Sequence, residues 1–156
     1  MHTCFVLHDQ IAGIVSETTP EQITNAHAGW KSLEELSWKQ TTHGNLAMYS
    51  SDLPYFPADI YLCGMCSSTL DVARVFNEKQ MLTEWDSILG IRQQRGRGQL
   101  RRAWNSPEGN IYAAMRLPST GFFANELGSL VIGFLLAGAL QKLGHNAHIK
   151  WPNDIL

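Results

Sequence analysis

The sequence predicts an α+β fold, a mixed or antiparallel sheet flanked by helices. Strand-like runs at 60–63, 87–91, 110–117 and 147–150 alternate with helical stretches at 70–79 and 126–143. The helices carry their own start and stop signals, and the polar motifs fall at strand ends, where loops usually place binding groups.

The elements follow in order. Thr19-Pro20-Glu21 opens a helix, with Thr as N-cap and Pro in the first turn. A second short helical stretch covers 31–39. Residues 41–57 are rich in Ser, Thr, Asn, Gly and Pro and read as loop with one strand at 46–49. After the strand at 60–63, Ser67-Ser68-Thr69 caps the helix at 70–79, with Asp71 in its first turn where the helix dipole favours a negative charge. The strand at 87–91 leads into an arginine-rich stretch, read as loop, before the strand at 110–117. The long apolar helix 126–143 is closed by Gly144. A last strand, 147–150, runs into Trp151-Pro152-Asn153-Asp154. Residues 1–57 form an N-terminal segment of unassigned role, and 58–156 form the patterned part.

The chain has 156 residues, the size of one domain and enough for a real core. Its 44% hydrophobic and 17% charged residues, with a mean hydropathy of -0.15, fit an ordinary globular protein. A net charge of only -2 makes the arginine cluster local and argues against a nonspecific nucleic-acid binder. The first residues lack a basic region and a small-residue cleavage site, so cytoplasmic residence is the default expectation. The apolar run 127–140 is shorter than the roughly 20 residues a membrane span requires, which predicts a buried helix and no membrane partner.

Three cysteines cannot all pair. Cys63 and Cys66 form a C-x-x-C, but no second pair completes a zinc site, so two small buried thiols at a strand end are the simpler reading.

Residues 92–109, RQQRGRGQLRRAWNSPEG, hold five of the twelve Lys and Arg residues and three glycines. Gly96 and Gly98 would let backbone N–H groups approach an anion. Arg97, Arg101 and Arg102 offer forked donors for phosphate or carboxylate, and Trp104 a flat face for a ring. Lys150, Asn153 and Asp154 gather an ammonium, an amide and a carboxylate around a proline, a plausible set for a triphosphate and its magnesium. Taken alone, each segment also fits a solvated charged face or a simple turn.

Four segments together resemble the biotin protein ligases, within the biotin and lipoate ligase superfamily. Ser68-Thr69-Leu70-Asp71-Val72-Ala73-Arg74 is similar to that family's S-T-x-D-x-A-R helix start. Gln93 to Gly98, followed by Arg102 and Trp104, is similar to its Q-x-x-G-R-G-R-x-x-R-x-W stretch. Ser106 to Tyr112 resembles its S-P-x-G-N-L-Y, and Lys150 to Asp154 its K-W-P-N-D. Order and spacing agree over 58–156.

The resemblance implies the fold shared by class II aminoacyl-tRNA synthetases and biotin synthetases. It implies ATP and Mg²⁺ as cofactors, biotin or a related small carboxylate as substrate, and a biotin carboxyl carrier protein as acceptor. Ser68, Thr69 and Gln93 would then bind the ureido head of biotin, with Gly96 and Arg97 along its tail and carboxylate. Arg102, Trp104 and Asn110 would face ATP, and Lys150, Asn153 and Asp154 its phosphates, with Asp154 toward Mg²⁺. Arg97, Arg102 and Lys150 would be the catalytic charges. The implied reaction makes biotinyl-5′-AMP and pyrophosphate, then passes the biotinyl group to a carrier lysine.

Several features depart from that pattern. Gln99 stands where the family has a second loop arginine and Ala103 where it has Lys or Arg, so weaker phosphate binding is expected. The sequence stops at Leu156, where the family continues with further strands and a small barrel. The expectation is an incomplete catalytic domain that self-associates as a homodimer through an exposed sheet edge. A winged helix-turn-helix, frequent in the family, is not evident in 1–57. A non-catalytic ligand-binding relative and a protein-interaction module therefore stand beside the ligase reading.

Overall fold

A computed structural model describes residues 2–98, 103–124, 127–151 and 154–156. It divides into two compact units, Met1–Arg116 and Leu117–Leu156.

The first unit is built on a seven-stranded mixed sheet. Its strands are β1 (His2–Leu7), β2 (Lys39–His43), β3 (Leu46–Leu53), β4 (Ile60–Cys66), β5 (Ser87–Arg97), β6 (Ala103–Ser106) and β7 (Tyr112–Met115). The order is β2-β3-β1-β4-β5-β6, with β7 also on β5. β4 runs parallel to both β1 and β5, while the other pairings are antiparallel. The eleven residues of β5 serve two partners on one side: Ser87–Gly90 pair with β7, and Gln93–Arg97 with β6.

Alternation along the central strands loads both faces. Phe5, Leu7, Tyr61, Cys63 and Ile88 join one core with Val72 and Phe76 of α2 (Thr69–Glu78). Cys4, Val6, Leu62 and Ile91 join the other with Ile23 of α1 (Pro20–Ala26). The sheet is thus covered by helices on both sides, as expected.

The N-terminal segment belongs to this same sheet. β1 lies between β3 and β4, so the sheet runs continuously across the boundary at residues 57 and 58. Thr19 forms the predicted cap as a full capping box with Gln22. The helical stretch expected at 31–39 is instead a 3-10 helix, Ala28–Glu35. Past it, Leu36 and Trp38 turn inward beside Trp30 and Leu33 to cover the second core, and Lys39 already starts β2. The loop expected before Leu46 is a hairpin: Gly44 (φ 56°) and Asn45 (φ 63°) both adopt the left-handed conformation a two-residue turn requires.

The second unit contains a 3-10 turn, Gly121–Ala124, helix α3 (Gly128–Lys142) and a hairpin of β8 (Ile149–Lys150) with β9 (Asp154–Ile155). Gly144, at φ 89°, closes α3, with the His145 N–H reaching the Leu140 carbonyl. The expectation of a buried α3 is corrected. Only Gly128, Gly133 and Ala137 are buried, whereas Phe134 is 70% exposed. An evenly apolar helix needs partners all round, and among the described residues of its unit α3 packs chiefly on the 3-10 turn and the small hairpin. Among the described residues no helix is long and apolar enough to cross a membrane.

Candidate functional site

The predicted biotin-side residues converge where β4 and β5 reach their carboxyl ends. Here a cleft of about 370 Å³ is lined by Ser68, Thr69, Gln93, Arg97 and Tyr112, with Leu70 and Ile111 among its apolar residues. Carboxyl ends of adjacent parallel strands are a recurrent place for ligands, because the helix that follows starts there.

Local sequence fixes each polar group. β4 ends at Cys66, and Ser68, in extended conformation, caps α2 by accepting the Asp71 N–H at 3.1 Å. Thr69 follows at the first helical position, and its N–H donates to Gln93 Oε1 at 2.9 Å while its hydroxyl donates to the same oxygen at 3.3 Å. Gln93 Nε2 donates to Ser106 Oγ at 3.1 Å. Both ends of the Gln93 amide are therefore held, and Ser68, Thr69 and Ser106 are each buried. Nε2 retains a second N–H, and the Thr69 hydroxyl retains acceptor capacity.

Gly96 meets a steric demand of the sheet. The stretch read as a flexible loop is half strand, because β5 continues to Arg97 and β6 begins at Ala103. Between Gln93↔Ser106 and Gly96↔Trp104 the register shifts by one extra residue on β5, a bulge that brings the strands into close approach. A Cβ at Gly96 would collide with Ser106 Oγ and lie 2.8 Å from the Trp104 carbonyl oxygen. Only a residue without a side chain lets β5 and β6 approach this closely at position 96.

Arg97 is held from α2. Its Nη2 donates to both oxygens of Asp71 at 2.7 Å, and Asp71 also accepts from the Ser67 hydroxyl at 2.9 Å and from Arg74 at 3.2 Å. Burial pushes the Asp71 carboxyl upward. Hydrogen bonds involving Ser67, Ser68 and Arg97 and the Arg97 charge outweigh that effect and hold it below the usual aspartate range. The Arg97 side chain is 51% exposed, and its remaining N–H donors stay available to a ligand.

Trp104, on β6, exposes 63% of its surface. Asn110 lies in the turn before β7, where its Nδ2 donates to the Tyr112 hydroxyl at 3.2 Å, which in turn donates to the Pro107 carbonyl at 2.8 Å. In the second unit, Lys150 and Asp154 face each other across the β8–β9 hairpin, Nζ to Oδ2 3.7 Å, both well exposed. Gln99, Arg101, Arg102 and Asn153 lie outside the described residues.

The sequence assigns no site role to Ser106 or Asp71, although each falls within a matched motif and Asp71 suits the helix dipole. The serine's signal was its place two residues after the tryptophan, opposite Gln93. For Asp71 and Arg97 the sequence gives no sign that 26 positions separate two partners. The C-x-x-C thiols are unpaired, and with Cys4 they lie buried in the two cores.

Sheet, caps and cleft define an α+β domain with a polar-walled cleft where two parallel strands end. The model of the biotin/lipoate A/B protein ligase family matches residues 61–156, and the chain belongs to that family. Among solved structures it is similar to the biotin protein ligase from Leishmania major in complex with biotin, at 27% identity over 65% of this chain and 47% of that one, TM-score 0.55. It is also similar to the biotin protein ligase from Aquifex aeolicus in complex with biotin and ATP, at 29% identity over 64% of this chain and 41% of that one, TM-score 0.55. The biotin acetyl coenzyme A carboxylase synthetase from Helicobacter pylori shares the fold at 22% identity, over 64% of this chain and 49% of that one, TM-score 0.54. The chain spans less than half the length of each of these structures. No curated protein matches it significantly.

Proposed function

We propose that the chain binds biotin, or a closely related ring-bearing carboxylate, together with ATP, and serves the activation of that carboxylate for transfer to a carrier-protein lysine. The observation that carries this reading is the pairing, in one cleft, of a fully oriented Gln93 amide with the Asp71-held guanidinium of Arg97. A neutral head that both donates and accepts hydrogen bonds suits Ser68, Thr69 and Gln93, because a buried ureido group left unpaired would cost several kcal/mol, about 2–7. A carboxylate at the other end suits Arg97. The solved relatives in complex with biotin, and with biotin and ATP, support the same pairing of ligands.

In the reaction, a carboxylate oxygen bonds to the α-phosphorus of ATP as the bond to the β-phosphate oxygen breaks and pyrophosphate leaves. The lysine nitrogen then bonds to the acyl carbon, AMP leaves with the bonding pair, and the amine proton passes to solvent. The substrates bring the reactive groups, so the protein's part is positioning and charge neutralisation. Arg97 neutralises the nucleophilic carboxylate and fixes its direction. The motif resemblance assigns Arg102, Trp104 and Asn110 to the nucleotide, with the exposed indole as a stacking face, and separately assigns Lys150 and Asn153 to phosphate.

Mg²⁺ fits here as an ion carried largely by the nucleotide. Among the described residues no group of three or more His, Cys, Asp and Glu side chains could hold a metal. Asp154 offers a single exposed carboxylate, which suits an ion that takes most of its oxygens from phosphates and water. When bound, the ion supplies charge neutralisation at the phosphates.

The test is exchange of labelled pyrophosphate into ATP. Exchange that depends on biotin supports the reading, whereas neither exchange nor biotin binding would overturn it.

A further inference from the structure

We propose that the turn at residues 11–16 braces the biotin side of the cleft, and that Arg95 is the positioning residue that locks this brace in place. The proposal rests on the biotin-side reading above and gives a role to part of the N-terminal segment.

The turn is closed on itself. Ile11 and Val15 form an antiparallel bridge, with the Ile14 and Val15 N–H groups on the Ile11 carbonyl at 2.8 and 2.9 Å. Gly13 supplies the left-handed residue the turn needs, at φ 69°. Its outer edge then extends the end of β4. Val15 bridges Cys66, and the Ser16 N–H donates to the Met65 carbonyl at 3.0 Å.

Where β4 ends, the turn continues to hold the chain. The Ser67 N–H donates to the Ile14 carbonyl at 2.6 Å, and the Ser67 carbonyl accepts the Arg95 N–H at 2.8 Å. Arg95 then closes the circuit, because its Nη2 donates to the Gly13 carbonyl at 2.7 Å. Both peptide groups of Ser67 are tied, one to the turn and one to β5, and Arg95 ties those two anchors to each other.

Ser68 and Thr69 follow directly, and they carry the cap and the Gln93 contacts that form the polar wall. Held at Ser67, they enter α2 from a fixed point. Released, they would sit on a connection whose position depends on the ligand, and binding would have to supply the ordering. Arg95 is one of the five arginines of the 92–109 stretch, and its guanidinium donates to a backbone carbonyl.

The experiment compares wild type with Arg95→Ala, Arg95→Lys and Gly13→Ala. It measures amide hydrogen exchange at Ser67 and Thr69 without ligand, and separate titrations with biotin and with ATP. Arg95→Ala should speed exchange at both amides and weaken biotin binding about tenfold, the effect of one charge-assisted hydrogen bond, with ATP affinity unchanged. Arg95→Lys should recover part of both effects, since an ammonium can donate to the same carbonyl. Gly13→Ala strains the turn without meeting any atom within 4 Å, and should act like Arg95→Ala if that variant does not fold. Unchanged exchange in Arg95→Ala overturns the brace. Faster exchange with unchanged biotin affinity, or equal losses for biotin and ATP, overturns its positioning role. A wild type that binds no biotin overturns the ligase reading and the ligand half of this proposal, while the exchange result still decides the brace.

Discussion

Arg97 Nη2 stands 2.7 Å from each carboxylate oxygen of Asp71, so the first turn of α2 sets the direction of the charge at the end of β5. Asp71 is also the meeting point of Ser67 and Arg74. Asp71→Asn should therefore destabilise the chain by about 1–2 kcal/mol, the scale of a charge-assisted hydrogen bond discounted for the half-exposed arginine. Urea unfolding checks this, and an unchanged midpoint would mean that the pair is idle.

The same residue predicts a pH dependence. Asp71 is depressed in the folded state, so its stabilisation is present above the unfolded aspartate value of about 3.9 and is lost as pH falls through the folded value. The stability gap between wild type and Asp71→Asn should be constant from neutral pH down to about 5 and close below about 4. Thermal unfolding measured across that range checks the sign. A gap that widens on acidification would be the wrong direction.

Gly96→Ala should cost about 1–3 kcal/mol, as overpacking does, because the new methyl meets Ser106 Oγ and the Trp104 backbone. The displaced Ser106 should also release Gln93 Nε2, so biotin binding should weaken more than stability alone explains. A fully stable Gly96→Ala protein would show that the two strands do not approach as closely as described.

Trp104→Ala should change stability by less than about 0.5 kcal/mol, since the ring is mostly exposed. Nucleotide affinity should drop about fivefold, the worth of one stacked ring. Calorimetric titration with ATP separates the two effects, and an unaltered ATP affinity would remove Trp104 from the nucleotide side.

Burial pushes the Cys4 thiol up to about 12 and the Cys66 thiol to about 11, and carries Cys63 above the ordinary range. All three should react slowly with a disulfide reagent at pH 8 in the folded protein and rapidly after denaturation. Fast labelling of the native chain would contradict the packing of the cores.

Much of the first unit was legible because its signals are local. Thr19-Pro20 and Ser67-Ser68-Thr69 state their caps within four residues, and both helices start there. β1 was not legible, because β4, its parallel partner in the sheet, lies more than fifty residues away. β2 was hidden by its polar composition, although Gly44-Asn45 is a hairpin signal that polar loop residues on either side obscured. The arginine stretch misled for a related reason. Glycine reads as flexibility, whereas Gly96 answers a steric demand from Ser106 that only the sheet register reveals. The site residues came from motif resemblance, and the hydrogen bonds that orient them, Gln93 to Ser106 and Arg97 to Asp71, came from the structure.

Biotin binding by isothermal titration, in wild type and in Gln93→Ala, tests the central claim most directly. The account predicts saturable binding by wild type and at least about tenfold weaker binding by Gln93→Ala, which removes the oriented amide from the cleft. No binding by wild type, or equal affinity in the two proteins, would contradict it.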